Sequence, residues 1–180
     1  MTKFIAFLRG INVGGNRSVK MEELKKTFES SGFKNVKTVL ASGNVIFETK
    51  QSNTTAISKK IEDDLKMDFG IEINVMIRSI EELKSLADAD PFKGIDVTPE
   101  TRLYVTFTSE KFKSKLKIPY ETPDKNFKIL RVTDNDVCSV LTLTPENKTV
   151  ELMGIIEKEF GKKVTTRNWN TILRFLKNEK

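Results

Sequence analysis

The sequence predicts an α+β protein of two ferredoxin-like halves, each a β-α-β-β-α-β unit followed by a trailing helix. Three observations predict it. Strand-length apolar runs and amphipathic helical patterns follow one another in the same order twice. Each half holds two β-rich runs around a short polar turn, Ser42-Gly43-Asn44 and Asp134-Asn135. Pro91, Gly94 and Pro99 then punctuate the middle of the chain. The expected division is a first half at 1–92, a linker at 93–101 and a second half at 102–180.

Taken in order, "KFIAFL" (3–8) reads as a buried strand. "MEELKKTFESSG" (21–32) places Met21, Leu24 and Phe28 on one helical face and Gly32 at its stop. The runs within 36–49 form a hairpin. A second helix over 53–70 carries Ile57, Ile61, Leu65 and Phe69 at a spacing of four. "IEINVMIR" (71–78) is a strand, and the helix of 79–92 opens with the capping box Ser79–Glu82. The second half begins with the strand "RLYVTFT" (102–108). By position, "SEKFKSKLK" (109–117) should then be a short basic helix. A hairpin covers 127–144, a helix roughly 146–160, a short strand 162–167 and a closing helix 168–178. Trp169, Ile172, Leu173 and Leu176 fall on one face of that last helix.

Composition narrows the function classes. A chain of 180 residues with 31 % charged and 38 % hydrophobic residues describes a solvated globular protein with a sizeable core. No apolar run approaches the ~20 residues of a membrane span. Arg9 interrupts the N-terminal apolar run too early for a secretory layout. Cys138 is the only cysteine, so no internal disulfide forms, and a cytoplasmic protein is expected. The chain has no histidine. That removes the commonest general base and an imidazole zinc site together. The net charge of +6 permits an anionic partner, although lysines and acids are interleaved as on any solvated surface. Only seven of the 31 basic residues are arginines, a type suited to bidentate anion contacts.

Those arginines direct attention to "LRGINVGGNRSVKM" (8–21). The link from Arg9 to Lys20 is about twice the usual two to six residues of a βα connection. Gly14 and Gly15 allow close backbone approach, Asn12 and Asn16 offer amides, and Arg9 and Arg17 offer charge-assisted hydrogen bonds. N–H groups ahead of a helix can cradle an anion. Neither nucleotide-binding glycine motif matches, and Glu22 and Glu23 repel an anion deeper in the helix. A loop with glycines for its turns is the structural alternative. Ser42 and Asn44 present short polar groups at the hairpin tip, useful only if that tip lies beside the loop. Arg78 and Arg167 occupy equivalent places in the two halves, where the last strand meets the trailing helix, so three arginines sit at strand exits. "TTRNWNT" (165–171) adds Asn168, Trp169 and Asn170. Asn168 also fits a helix N-cap, and the spacing of Trp169 fits core packing. The lysines of 111–117 read as a solvated edge, Asp63-Asp64 and Asp134/Asp136 as polar surface rather than a metal site, and Cys138 as core.

Together, "LRGINVGG", "SGNVIF" and "TTRNWNT" strongly resemble an uncharacterised, mostly bacterial family, domain of unknown function 1697. "VKMEEL" and "VMIRSIEEL" extend the resemblance essentially end to end. It implies two ferredoxin-like halves and brings no activity, substrate or cofactor with it. After the second hairpin, family members tend to have a Gly-rich turn and an Arg-Ser-Lys-Leu-like helix start. Here the chain reads "TPENKTVELM", with Lys148 the only basic residue left.

The expected function is binding of a phosphorylated ligand, with nucleotides and nucleic acid as the classes to test. Arg9, Asn12, Gly14, Gly15, Asn16, Arg17, Ser42, Asn44, Arg78, Arg167, Asn168, Trp169 and Asn170 are the site candidates. No cofactor, metal or membrane partner is expected. The alternatives are an enzyme acting on a small phosphorylated or carboxylated metabolite, and a protein-interaction module.

Overall fold

The computed structural model describes residues 1–13, 18–112, 114–146 and 149–177, without the side chains of 149–151. These form five helices and two antiparallel sheets. They divide into two compact units, Met1–Glu82 and Leu83–Lys180.

In the first unit, β1 (Thr2–Leu8), α1 (Met21–Ser30), β2 (Lys34–Val39), β3 (Asn44–Thr49), α2 (Thr54–Phe69) and β4 (Val75–Ser79) follow in sequence. The sheet order is β2-β3-β1-β4. The alternation of β1 turns Phe4, Ala6 and Leu8 into a core shared with Leu24 and Phe28 of α1 and Ile57, Ile61 and Leu65 of α2. Phe47 centres this core, its ring 4.6 Å from Phe33, 5.6 Å from Phe28 and 5.9 Å from Phe4. Truncating such a buried ring costs about 3–5 kcal/mol.

Local signals set the helix ends. The Asn53 side chain accepts the Ala56 N–H at the start of α2, and Gly70, at φ +68, returns its N–H to the Lys66 carbonyl at the end. The Thr27 hydroxyl of α1 and the hydroxyl of Ser31, its C-cap, donate to Asp68 and Asp64 of α2 and so tie the two helices together. Helix α2 also reaches β4, where Glu62 accepts the Val75 N–H and the Ser58 hydroxyl donates to the Val75 carbonyl. The capping box is present: the Ser79 N–H donates to Glu82 and the Glu82 N–H to the Ser79 hydroxyl. Helix α3 (Ile80–Asp88) follows directly.

The second unit contains β5 (Thr101–Thr108), β6 (Tyr120–Glu121), β7 (Phe127–Val132), β8 (Asp136–Thr142), α4 (Thr149–Phe160), β9 (Val164–Asn168) and α5 (Trp169–Lys177), with sheet order β6-β7-β8-β5-β9. Phe127, Ile129, Val137 and Leu141 of the sheet pack against Leu152, Ile156 and Phe160 of α4. Trp169, Ile172 and Phe175 are the buried residues of α5.

One expected element is absent. The described residues of 109–117 form no helix. "KFKSKLK" alternates cation and non-cation, so a helix would turn lysines inward. The segment instead runs irregularly, with the Phe112 ring 4.8 Å from Phe160. The Ser114 hydroxyl and the Lys115 N–H both donate to the Glu159 carboxylate.

Candidate functional site

Strand β1 ends in a corner built largely by backbone. The Leu8 N–H donates to the Gly43 carbonyl in the hairpin turn (2.8 Å), and the Arg9 N–H donates to the Asn74 carbonyl ahead of β4 (2.9 Å). Arg9, partly buried, is therefore held between the hairpin and the entry to β4. Gly10, at φ +66, turns the chain away from the sheet. Ile11 then folds back and is only 1 % exposed.

Asn12 closes the corner. Its backbone is left-handed, φ +55, a region that asparagine tolerates better than most residues. Its side-chain amide donates to the carbonyls of Val19 and Ala41, both at 2.9 Å, and its side-chain oxygen accepts the Val19 N–H at 2.8 Å. One side chain thus joins the start of the glycine-rich loop, the end of that loop and the hairpin turn. The hairpin turn thus lies beside the described start of the loop, at Ile11 and Asn12.

Gly43 shows how close the approach is. It sits at φ +76, and a Cβ there would lie 2.7 Å from Cδ1 and Cγ1 of Ile11 and 3.0 Å from Cβ of Leu8. Only glycine fits. Two residues earlier in the turn than Ser42, Leu40 is also left-handed, φ +61. A side chain with a Cβ pays about 1–2 kcal/mol for that conformation.

The candidate residues divide as follows. Arg9, Asn12 and Ser42 line this corner. Asn44 begins β3 and is fully buried. Its amide donates to the Val39 carbonyl and the Ser42 hydroxyl, so it braces the turn from inside. Gly14, Gly15, Asn16 and Arg17 lie outside the described residues, as does Lys148.

Arg78 pairs with Ile5, four residues back along β1 from Arg9 and so about 13 Å away at ~3.3 Å per residue. Because β1 and β4 are antiparallel, their exits lie toward opposite ends of the sheet. Arg78 is buried, on the sheet face turned away from α1 and α2, and its Nη1 donates to the Ile77 carbonyl.

The remaining candidates belong to the second unit. Nη1 of Arg167 donates to the Thr165 hydroxyl (2.7 Å) and the Thr166 carbonyl (3.0 Å). Burial pushes its guanidinium down to about 10, which still leaves it charged at neutral pH. The side chain of Asn168 caps α5 by accepting the Asn170 N–H. Trp169 is core, its ring 5.3 Å from Phe92, and Asn170 is exposed.

Other parts of the described chain suit an anion or a metal less well. Two clefts along α2 are lined by Asp64 and Asp68 and by Glu62, Asp63 and Glu72, and their acids disfavour an anion. Among the described residues no group of three metal-ligating side chains occurs, and no helix is long and apolar enough to cross a membrane. Sequence reasoning missed Ile11, the Gly43 contact and Leu40. The glycine of "SGN" was the available signal, and it reads as a turn in the absence of a partner.

No curated protein matches this chain. Among solved structures, the conserved bacterial protein SP0830 from Streptococcus pneumoniae is similar, with a TM-score of 0.69 and 19 % identity over 99 % of both chains. That likeness shows a shared fold. The model of the family described as "Protein of unknown function (DUF1697)" matches residues 1–137, which include the whole Arg9–Asn12–Gly43 corner, and the chain belongs to that family.

Proposed function

We propose that this protein binds a phosphorylated ligand at the Arg9 corner of its first unit. The observation that carries the reading is Asn12, which draws the two ends of the glycine-rich loop and the hairpin turn onto one point beside Arg9. Arginine's planar guanidinium is suited to charge-assisted bonds with phosphate oxygens, and the backbone of Arg9 is anchored at this corner. Gly14, Gly15, Asn16 and Arg17 continue the same loop and are proposed contacts. Arg78, Arg167 and Asn170 are proposed as further contacts within their own units.

The reading includes a ferredoxin-like duplication. Two sheet orders support it, β2-β3-β1-β4 and β7-β8-β5-β9. So does the matching habit of Arg78 and Arg167, each bonded to the carbonyl of the residue before it. A bacterial, cytoplasmic protein is part of the proposal, supported by the single cysteine and the likeness to the streptococcal protein.

The test is calorimetric titration of inorganic phosphate, nucleoside monophosphates and single-stranded RNA and DNA at two salt concentrations. Arg9→Ala should weaken binding about 10- to 100-fold, the worth of hydrogen bonds to a charged group. Raising the salt should weaken it further. Absence of binding, or binding indifferent to both changes, refutes the proposal.

A further inference from the structure

Where 109–117 lacks a helix, the second unit has a strap with its cations turned outward. Four lysines fall within 111–117 and no acid lies among them. Exposure alternates along the described residues. Lys111, Lys115 and Lys117 are exposed, whereas Phe112, Leu116 and Ile118 are partly buried and pack against the core of β7, β8 and α4. Hydrogen bonds fix the course of the strap. The Ser109 N–H donates to the Lys163 carbonyl and the Phe112 N–H to the Asp134 carbonyl. The Glu159 carboxylate accepts from the Ser114 hydroxyl and the Lys115 N–H. Two nearby acids do meet lysines: Asp134 lies 3.7 Å from Lys111, and Glu110 lies 3.0 Å from Lys163. The ammonium groups of Lys115 and Lys117 make no ion pair with a described residue. Lys113 lies outside the described residues.

We propose that this strap is a second binding surface, independent of the Arg9 corner, for the phosphate backbone of a single-stranded nucleic acid. Its lysines form a single file, at most about 20 Å from Lys111 to Lys117 at ~3.3 Å per residue. A flexible strand can lay successive phosphates along such a row, whereas a duplex holds its phosphates fixed in two. A lipid surface fits less well. Interfacial binding draws on inserted apolar side chains as well as on charge, and those of the strap are committed to the core. The one aromatic ring within 111–117, that of Phe112, lies 4.8 Å from Phe160, so the strap offers bases no platform to stack on. The surface therefore reads charge and is indifferent to sequence.

The experiment follows a labelled oligothymidine by fluorescence anisotropy over a range of salt concentrations. It compares wild type, the double variant Lys115→Gln/Lys117→Gln and a charge-matched control, Lys50→Gln/Lys59→Gln, in the first unit. All four lysines are exposed, so each protein should melt as wild type does. Binding should weaken as salt rises. Each phosphate contact contributes about 0.7 to the slope of log K against log salt, so the strap variant should flatten that slope by about 1.4. The control should leave it unchanged, and oligoadenosine should bind as oligothymidine does. Four results each overturn the inference: no binding by wild type, an unaltered slope in the strap variant, an equal change in the control, and a preference for oligothymidine over oligoadenosine or the reverse. Tighter binding of a duplex, of oligoglutamate or of vesicles of phosphatidylserine and phosphatidylcholine overturns it as well. Inorganic phosphate, the probe of the Arg9 corner, should bind the strap variant as it binds wild type, so the two readings fail separately.

Discussion

Gly43→Ala is the sharpest available probe of the corner. Two costs follow from the structure. Alanine at φ +76 pays about 1–2 kcal/mol for the left-handed conformation. Its Cβ would meet two Ile11 carbons at 2.7 Å and the Leu8 Cβ at 3.0 Å. These atoms sit in a packed core and can move only by displacing neighbours, so overpacking adds about 1–3 kcal/mol. The expected loss is about 3 kcal/mol. At a urea m-value of about 2 kcal/mol/M, that lowers the unfolding midpoint by about 1.5 M, read by far-UV circular dichroism. A double-mutant cycle with Ile11→Val separates the two costs. Valine lacks Cδ1, so it relieves part of the clash and none of the backbone strain. Gly43→Ala should cost about 1 kcal/mol less in the Ile11→Val background than in wild type. A loss below about 1 kcal/mol, or no coupling between the sites, would refute the close approach of Ile11 to the turn.

Two further outcomes are expected. Asn12→Gly keeps the left-handed backbone and deletes three hydrogen bonds, two of them partly buried and one exposed. It should cost about 1–2 kcal/mol, and hydrogen exchange at the Val19 amide should quicken; unchanged exchange at Val19 would count against the staple. The Cys138 thiol is pushed up to about 12 from its ordinary 9.0, chiefly by burial. Between those values the unfolded chain releases a proton that the native protein keeps, so stability falls as pH rises. The slope is about 1.4 kcal/mol per pH unit relative to Cys138→Ala, and is absent below about pH 8. Parallel pH profiles of the two proteins from urea melts would contradict it.

Most of the first unit was legible because local and global signals agree there. The Ser79–Glu82 box, the apolar run of 3–8 and, in the second unit, the Asn168 cap are short-range patterns, and each has its expected hydrogen bonds or burial. The assignment of 109–117 as a helix had no local support. It came from transferring the order of the first half to the second, and the contacts of Phe112 and Glu159 that fix the segment lie more than forty residues apart in sequence. Asn44 looked like a polar tip because turns favour asparagine. Its burial follows from the β3 register with Phe7 and Val39, which periodicity does not specify. Leu40 was illegible for the opposite reason: nothing about a leucine between Val39 and Ala41 announces a positive φ.

The bonds from α2 to Val75 have a consequence for encounters between molecules. Strand β4 closes one side of the first sheet, where a row of open amides and carbonyls would template an incoming strand. At Val75 the Glu62 carboxylate and the Ser58 hydroxyl already occupy that donor and acceptor. On the opposite side, β2 carries Lys34 and Lys37 and an irregular register between them, and charged, bulged edges resist pairing. A small, strand-rich unit is thereby guarded at both margins against growing into its neighbour's sheet.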